Sequence, residues 1–505
     1  MPTYLAPGVY MEEISSGSKP ISGVGTAIAA FVGLAERGPV DTPTLVTNWG
    51  QFVQNFGEFV EGSYLAHAVY GYFLNGGGVA YIVRVGGDDA QEAPAAKAEI
   101  PSAADKAQAS YRFNALEAGT AGEDIVVEFA DPSEPGEDTF NLIVRRGKTE
   151  ETYPNVSSKK GPNNVVTAVK QKSKLVKIEE ATSGGAVAVP EKGRYPLASG
   201  GLAAPTAVTP DAYVGSSADR TGFAGLEAID EITMLAVPDL MAAYQQGALN
   251  SEGLKAVQLA MIAHCELMNN RVCILDAPPN MNAQQAKEWR IDLAGYDSKQ
   301  AALYWPWIKV MDPVRGEAIH IPPSGHMAGI WARTDDTRGV HKAPANEVVR
   351  GAISLELQIT KGEQEQLNPV GVNCIRAFPG KGIRVWGART LSSDAEWKYL
   401  NVRRLFNMVE QSILNGTDWT VFEPNDFKLW LSVRRNVNAF LRGVWRSGAL
   451  FGESEEQAFW VKCDEENNPP ESRDLGELHV DIGIAPVKPA EFVVFRIQQI
   501  ASGSE

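Results

Sequence analysis

The chain has 505 residues, 44% of them hydrophobic, which is enough for two to four domains with cores of their own. Its 62 acidic side chains outnumber 46 basic ones, for a formal charge of -16, and this argues against non-specific nucleic-acid binding, which needs Lys and Arg to displace counterions. The four cysteines, Cys265, Cys273, Cys374 and Cys463, form no CxxC pair, and no stretch has signal-peptide or membrane-spanning character, so the expectation is buried thiols in a protein made in the cytoplasm without membrane insertion.

In chain order, Pro2, Pro7, Gly8, Gly17, Pro20 and Gly23 forbid a helix and predict an extended arm over 1–22. Within it Val9, Tyr10, Met11, Glu12, Glu13 and Ile14 form one strand-like run, which needs another sheet edge to pair with. Residues 23–87 read as a first part of a core domain. Gly25–Gly33 is a strand, Trp49, Phe52, Val53 and Phe56 have helical spacing ended by Gly57, Tyr64–Leu74 is a second helix, and Val79–Val85 is a buried strand. The glycines at 76–78 follow a helix and precede no GK[ST], so they are not a phosphate loop. Residues 88–205 open with an Ala-rich polar linker and continue with short alternating runs at Tyr111–Leu116, Ile125–Phe129, Phe140–Val144 and Leu175–Ile178, the pattern of a small all-β insertion.

From 206 to 367 the chain returns to the core domain. Ile232–Asp239, Arg271–Pro278 and Ala301–Val310 are predicted strands. Between them lie a helix with Leu254, Val257, Met261, Ile262, Cys265 and Met268 on one face and a second helix over Ala283–Leu293. Strand and helix alternation of this kind predicts a parallel sheet covered by helices. Ile319–Val349 is polar and rich in Pro and Gly, and is expected as a long irregular segment.

Residues 368–485 form a predicted α+β domain. Asn368–Val372 has turn chemistry, and Ile383, Val385 and Trp386 make a short strand. Ser393 and Glu396 have capping-box spacing before apolar residues at Trp397, Leu400, Leu405, Met408 and Val409. Asn425 is the expected cap of a helix over Asp426–Trp445. On that helix Val433, Val437, Phe440, Leu441, Val444 and Trp445 form the apolar face, while Lys428, Arg435, Arg442 and Arg446 align in a basic stripe. Such a stripe is either a solvated face paired with local Glu or a contact to an acidic partner. His479–Ile484 alternates as a strand, and 486–505 carries another at Ala490–Ile500, including Phe492, Val493, Val494, Phe495, Arg496 and Ile497.

No HExxH, paired Cys/His or GxSxG motif occurs, so neither a catalytic residue, a metal site nor a cofactor is expected. Ser324, His326 and Asp335 have the residue types of a hydrolase triad, but local clustering is weak support for one. His264 and His320 are expected as core or hydrogen-bonded residues.

Three words in order, NPVGVN, IRVWGARTL and WKYLNVRRL, resemble the C-terminal core of contractile tail sheath proteins of phages and phage-like injection systems. FLNGG before a strand ending in RV, PPSGHMAGIWARTD followed by RGVHKAPAN, and the terminal PVKPAEFVVFRI extend the resemblance to most of the chain, least so between 88 and 205. The resemblance implies a non-enzymatic structural subunit with a subtilisin-like three-layer α/β core. It implies arms that add strands to neighbouring copies, a helical homopolymer, an inner tube facing the basic stripe, and baseplate and tail-terminator partners, with no nucleic acid. It places the protein in a phage tail or a contractile injection particle after assembly in a bacterial cytoplasm. A hydrolase on the subtilisin-like core, or a non-contractile capsid or adhesion protein, are the other classes that the residues leave open.

Overall fold

A computed structural model describes residues 20–497, apart from 87–94, 105–107, 117–121, 123, 135, 137, 148, 182–187, 199–208 and 314–315. Its centre is an eight-stranded sheet. In chain order the strands are β1 (Ile28–Gly33), β2 (Thr44–Val46), β3 (Val79–Arg84), β4 (Met234–Ala236), β5 (Val272–Asp276), β6 (Ala301–Trp305), β7 (Val372–Phe378) and β8 (Gly382–Val385). Their spatial order is β8-β7-β6-β5-β4-β1-β3-β2. The six inner strands run parallel and the two edge strands antiparallel.

Strand alternation sorts the side chains into two cores. Ala30, Val32, Leu235, Cys273, Leu275 and Leu303 face one side, where helix α2 (Ser251–Met268) covers them with Leu254, Val257, Met261 and Cys265. Ala29, Phe31, Ala80, Met234, Ile274 and Tyr304 face the other, under helices α1 (Leu65–Leu74) and α3 (Ser324–Arg338). The result is three layers, each strand burying alternate residues on opposite faces.

Between β3 and β4 the chain builds a separate region with its own core of Tyr111, Phe113, Val127, Phe129, Phe140, Leu142 and Val144. A four-stranded antiparallel sheet (Ile125–Ala130, Thr139–Arg146, Thr149–Ser157, Gly193–Pro196) sits with a three-stranded one (Lys97–Pro101, Ala109–Ala115, Val176–Glu180) and the helix Val165–Lys172.

After β8 come two long helices, α4 (Leu400–Thr417) and α5 (Phe427–Arg446), then a two-stranded antiparallel sheet of β9 (Phe459–Lys462) and β10 (Asp481–Ile484). They share a core of Leu405, Val409, Trp430, Val433, Val437, Leu441 and Phe459, into which Ile21 also packs.

Several expectations are corrected. The run Ala301–Val310 is two strands: β6 ends at Trp305, and Ile308–Met311 pairs instead with Ala318–Ile321 and Ala352–Leu355, because Pro306 has no N–H to continue the ladder. The sheet also continues past the boundary expected at 367, since β7 pairs with β6. The segment 319–349 is not irregular: α3 occupies half of it and is buried on nearly every face. Its Gly325 and Gly329 lie against α1 so closely that an added Cβ would be 2.4 Å from Ala68 and Tyr72 backbone. Small residues therefore set this packing, and a helix buried all round shows no amphipathic stripe. Ser393 and Glu396 form no capping box, for Ser393 Oγ bonds Asp297 (2.5 Å) and the helix starts at Leu400. Asp426, not Asn425, caps α5, accepting from the Lys428 and Leu429 amides, while Asn425 accepts from Trp430 Nε1 (2.7 Å).

Candidate assembly interface

Val9, Tyr10, Met11, Glu12, Glu13 and Ile14 lie outside the described residues. At the other end, Phe492, Val493, Val494, Phe495, Arg496 and Ile497 are all exposed and belong to no strand. The strand expected at 490–500 therefore has no ladder over 490–497 among the described residues; 498–500 fall outside them. Phe492, Val493, Val494, Phe495 and Ile497, at 68–94% exposure, leave a run of apolar surface in water, and patches of this kind are characteristic of interaction sites.

Elsewhere on the body, β9 and β10 form a sheet of two strands only among the described residues. Two strands alone are marginal in water, and an open edge presents unpaired backbone groups. Trp460 on β9 is 54% exposed and lies over Gly483 directly opposite on β10, where an added Cβ would be 2.2 Å from the ring. Phe451, 74% exposed, adjoins the strand pair through its amide bond to Ala485 O.

The roots of both termini are held firmly. Glu491 accepts from Arg389 Nε (2.8 Å) and Nη2 (2.6 Å), Asn368 Nδ2 (2.8 Å) and Tyr399 Oη (3.2 Å). Burial opposes its ionisation, yet the bonds from Arg389 and Asn368 hold its carboxyl below the usual glutamate range. At the N-terminal side, Val24 N–H donates to Ser412 Oγ (3.0 Å) and Thr26 Oγ1 to Asp335 Oδ2 (2.7 Å). Arg404 grips the same Asp335 (2.9 and 2.5 Å) and lies 4.8 Å over the Trp331 ring. Neither clamp was signalled by a spacing in the sequence, since each partner pair is separated by tens to hundreds of residues.

The basic residues do share the solvent face of α5. Lys428, Arg435 and Arg446 are exposed, while Arg442 is engaged by Glu455 (Nε–Oε1 2.5 Å, Nη2–Oε2 3.0 Å). Phe427 and Leu431, each 55% exposed, continue that face toward the helix N-terminus.

The triad candidates are not assembled. All three sit on α3, where Ser324 and Asp335 are about 16 Å apart by helical rise. The Ser324 amide donates to Asp276 Oδ1 (2.9 Å), Asp335 is taken by Arg404 and Thr26, and the His326 ring packs on Gly71, its pKa lowered to about 3 by burial and the nearby His67. His264 is buried beside Arg271 Nη1 (3.2 Å), whereas His320, expected in the core or hydrogen-bonded, is exposed. Among the described residues no group of three or more His, Cys, Asp or Glu is placed to hold a metal ion, and no helix is long and apolar enough to cross a membrane. The four cysteines are free and buried.

A three-layer α/β core is thus followed by a helical domain, beyond which Phe492–Ile497 are exposed. Residues 224–391 match the phage tail sheath protein central domain and 392–500 the phage tail sheath C-terminal domain. The tail sheath protein of Burkholderia phage BcepMu is 23% identical across 97% of this chain and 96% of its own length. The tail sheath protein of Vibrio phage KVP40 is 28% identical over 34% of this chain, and the match spans only 26% of that relative. Among solved structures, the helical sheath of the anti-feeding prophage in its contracted state superposes with a TM-score of 0.58 at 24% identity, covering 99% of this chain and 100% of that one. The chain belongs to the phage tail sheath family.

Proposed function

We propose that this chain is a contractile sheath subunit that polymerises helically around an inner tube and shortens to drive that tube through a target envelope. The observation that carries the proposal is the pairing of opposites on one molecule: an exposed apolar segment, Phe492–Ile497, that belongs to no strand, and a sheet, β9–β10, that packs on the α5 core yet has only two strands among the described residues. Strand addition between copies satisfies both, with backbone bonds supplying affinity and alternate side chains supplying register. The arm at Val9–Ile14 would join the same sheet from another neighbour. Because a head-to-tail contact that does not close gives an open helix, such exchange generates a tube.

On this proposal the sheath needs no nucleotide: assembly on the tube traps an extended lattice, and contraction releases the free-energy difference between two packings of rigid subunits. Lys428, Arg435, Arg442 and Arg446 face the inner tube, Arg442 through a network with Glu455. Baseplate and tail-terminator proteins bound the polymer at its ends. The core is taken as subtilisin-like in arrangement only, without hydrolytic function, and the particle, a phage tail or an injection system, is assembled in a bacterial cytoplasm. The test is negative-stain electron microscopy of the full chain and of a chain lacking 1–22, each with and without its tube protein. Tubes from the first and only folded monomers from the second are expected; normal filaments from the shortened chain would remove the arm from the mechanism.

A further inference from the structure

The two clamps described above meet at the same helix, the N-terminal one through Arg404 and Ser412 on α4 and the C-terminal one through Tyr399, the residue that precedes its first turn. Toward the C-terminal end of α4, Ile21 lies on Gly416, where an added Cβ would be 2.7 Å from its side chain, and Ser412 holds the Val24 amide. About two turns below, Arg404 Nη2 donates to Thr26 O (3.0 Å). At the N-terminal end, Tyr399 reaches Glu491, and Asn401 Nδ2 donates to both Val487 O (3.2 Å) and His341 O (2.7 Å). Tyr399 and Ser412 are about 20 Å apart along the helix.

The placement of these bonds is telling. Glu491 is the last held residue before six exposed ones, and Ile21, near the end of the arm expected over 1–22, is the first buried residue among those described. Arg389, whose side chain is only 8% exposed, commits its guanidinium to Glu491 and to Asn368 O (2.9 Å), a strong bidentate grip on a point from which the chain leaves the body.

We propose that α4 is the rod that sets the separation and direction of the two arms, with Arg389, Tyr399 and Ser412 as positioning residues for strand exchange. The proposal rests on the strand-exchange reading. In a helical lattice every subunit bridges two neighbours with the same geometry, so the offset between its two arms must be a constant of the subunit. Loose roots would let each junction adopt its own offset, and errors would accumulate along the tube.

The experiment uses the full chain, three variants and one control. Glu491→Gln loosens the C-terminal root, Thr26→Val with Ser412→Ala loosens the N-terminal root, and the third combines them; the control ends at Glu491. Each is measured for melting temperature before assembly, for hydrogen exchange at 20–26 and 485–491, and for tube length and spread of helical rise by electron microscopy. The root variants are expected to stay folded with a lowered melting temperature, the more so for Glu491→Gln, which leaves the buried Arg389 without its counter-charge, to exchange faster at the altered root, and to give tubes severalfold shorter with mixed rise. The combined variant should be no worse than the more severe single one, since either loose root already frees the offset. Parent-length tubes of one rise from both root variants, or losses that multiply in the combination, would overturn the proposal. Normal tubes from the control would instead overturn strand exchange itself. Should Glu491→Gln not fold, Tyr399→Phe, which removes one hydroxyl bond and keeps the ion pair, is read by the same criteria.

Discussion

Asp239 and Asp276 are buried carboxylates that serve the amides of helix starts. Asp239 accepts from the Tyr64 (2.5 Å) and Leu65 (2.9 Å) amides before α1, and also from Leu34 N (2.5 Å) at the end of β1. Asp276, at the end of β5, accepts from the first amide of α3. Such bonds complement the positive end of a helix, yet burial dominates and raises the pKa values to about 6 and about 7 from 3.8. A folded-state value above the unfolded one means that the native state binds the proton more tightly. The associated stability is complete below 3.8 and is lost as pH rises through 6 and 7. Asp276→Asn keeps an acceptor for the Ser324 amide and removes the titration. The expected outcome is a melting temperature that falls less between pH 5 and 8 than that of the parent, checked by calorimetry of the unassembled chain in matched ionic strength.

At the scale of elements, legibility follows from whether a segment has a wet side. The helix Trp49–Phe56, α2 and α5, and the strands of the insertion at 109–115, 125–130, 139–146 and 176–180, were readable because each alternates buried and exposed positions. Helix α3 was not, because Gly325, Ala328, Gly329 and Ala332 press it into α1 while Ile330 and Trp331 fill the opposite side, leaving no polar face to mark its period. The start of α4 was misplaced for a different reason: the Ser393 side chain found Asp297, some hundred residues away, in place of a local amide. The clamps at Glu491 and Asp335 were illegible for the same cause, since long-range ion pairs leave no spacing. The close approach of α1 and α3 is itself testable. A Cβ on Gly71 would lie 2.2 Å from the His326 ring, so Gly71→Ala should cost about 1–3 kcal/mol by overpacking, read from urea unfolding.

Taken as a whole molecule, the chain keeps its net charge of -16 while one helix face carries Lys428, Arg435, Arg442 and Arg446. If that face meets an acidic tube, a charge reversal there should act on docking and not on folding. Arg435 is the informative position, being exposed, whereas Arg442 is held by Glu455. Arg435→Glu should leave the melting curve within about 0.5 kcal/mol of the parent, as expected for a surface site. It should also reduce the fraction of tube protein recovered inside sheaths after pelleting, more so at low salt. Full recovery at every salt concentration would assign the stripe to solvent.

The inserted region between β3 and β4 buries Tyr111, Phe129 and Leu142 in a core that shares no residue with the other three. Mutations there are accommodated among its own side chains. A substitution that enlarges or empties that core is therefore felt within the region itself, and the two cores that flank the central sheet keep their packing whatever side chains the insertion carries.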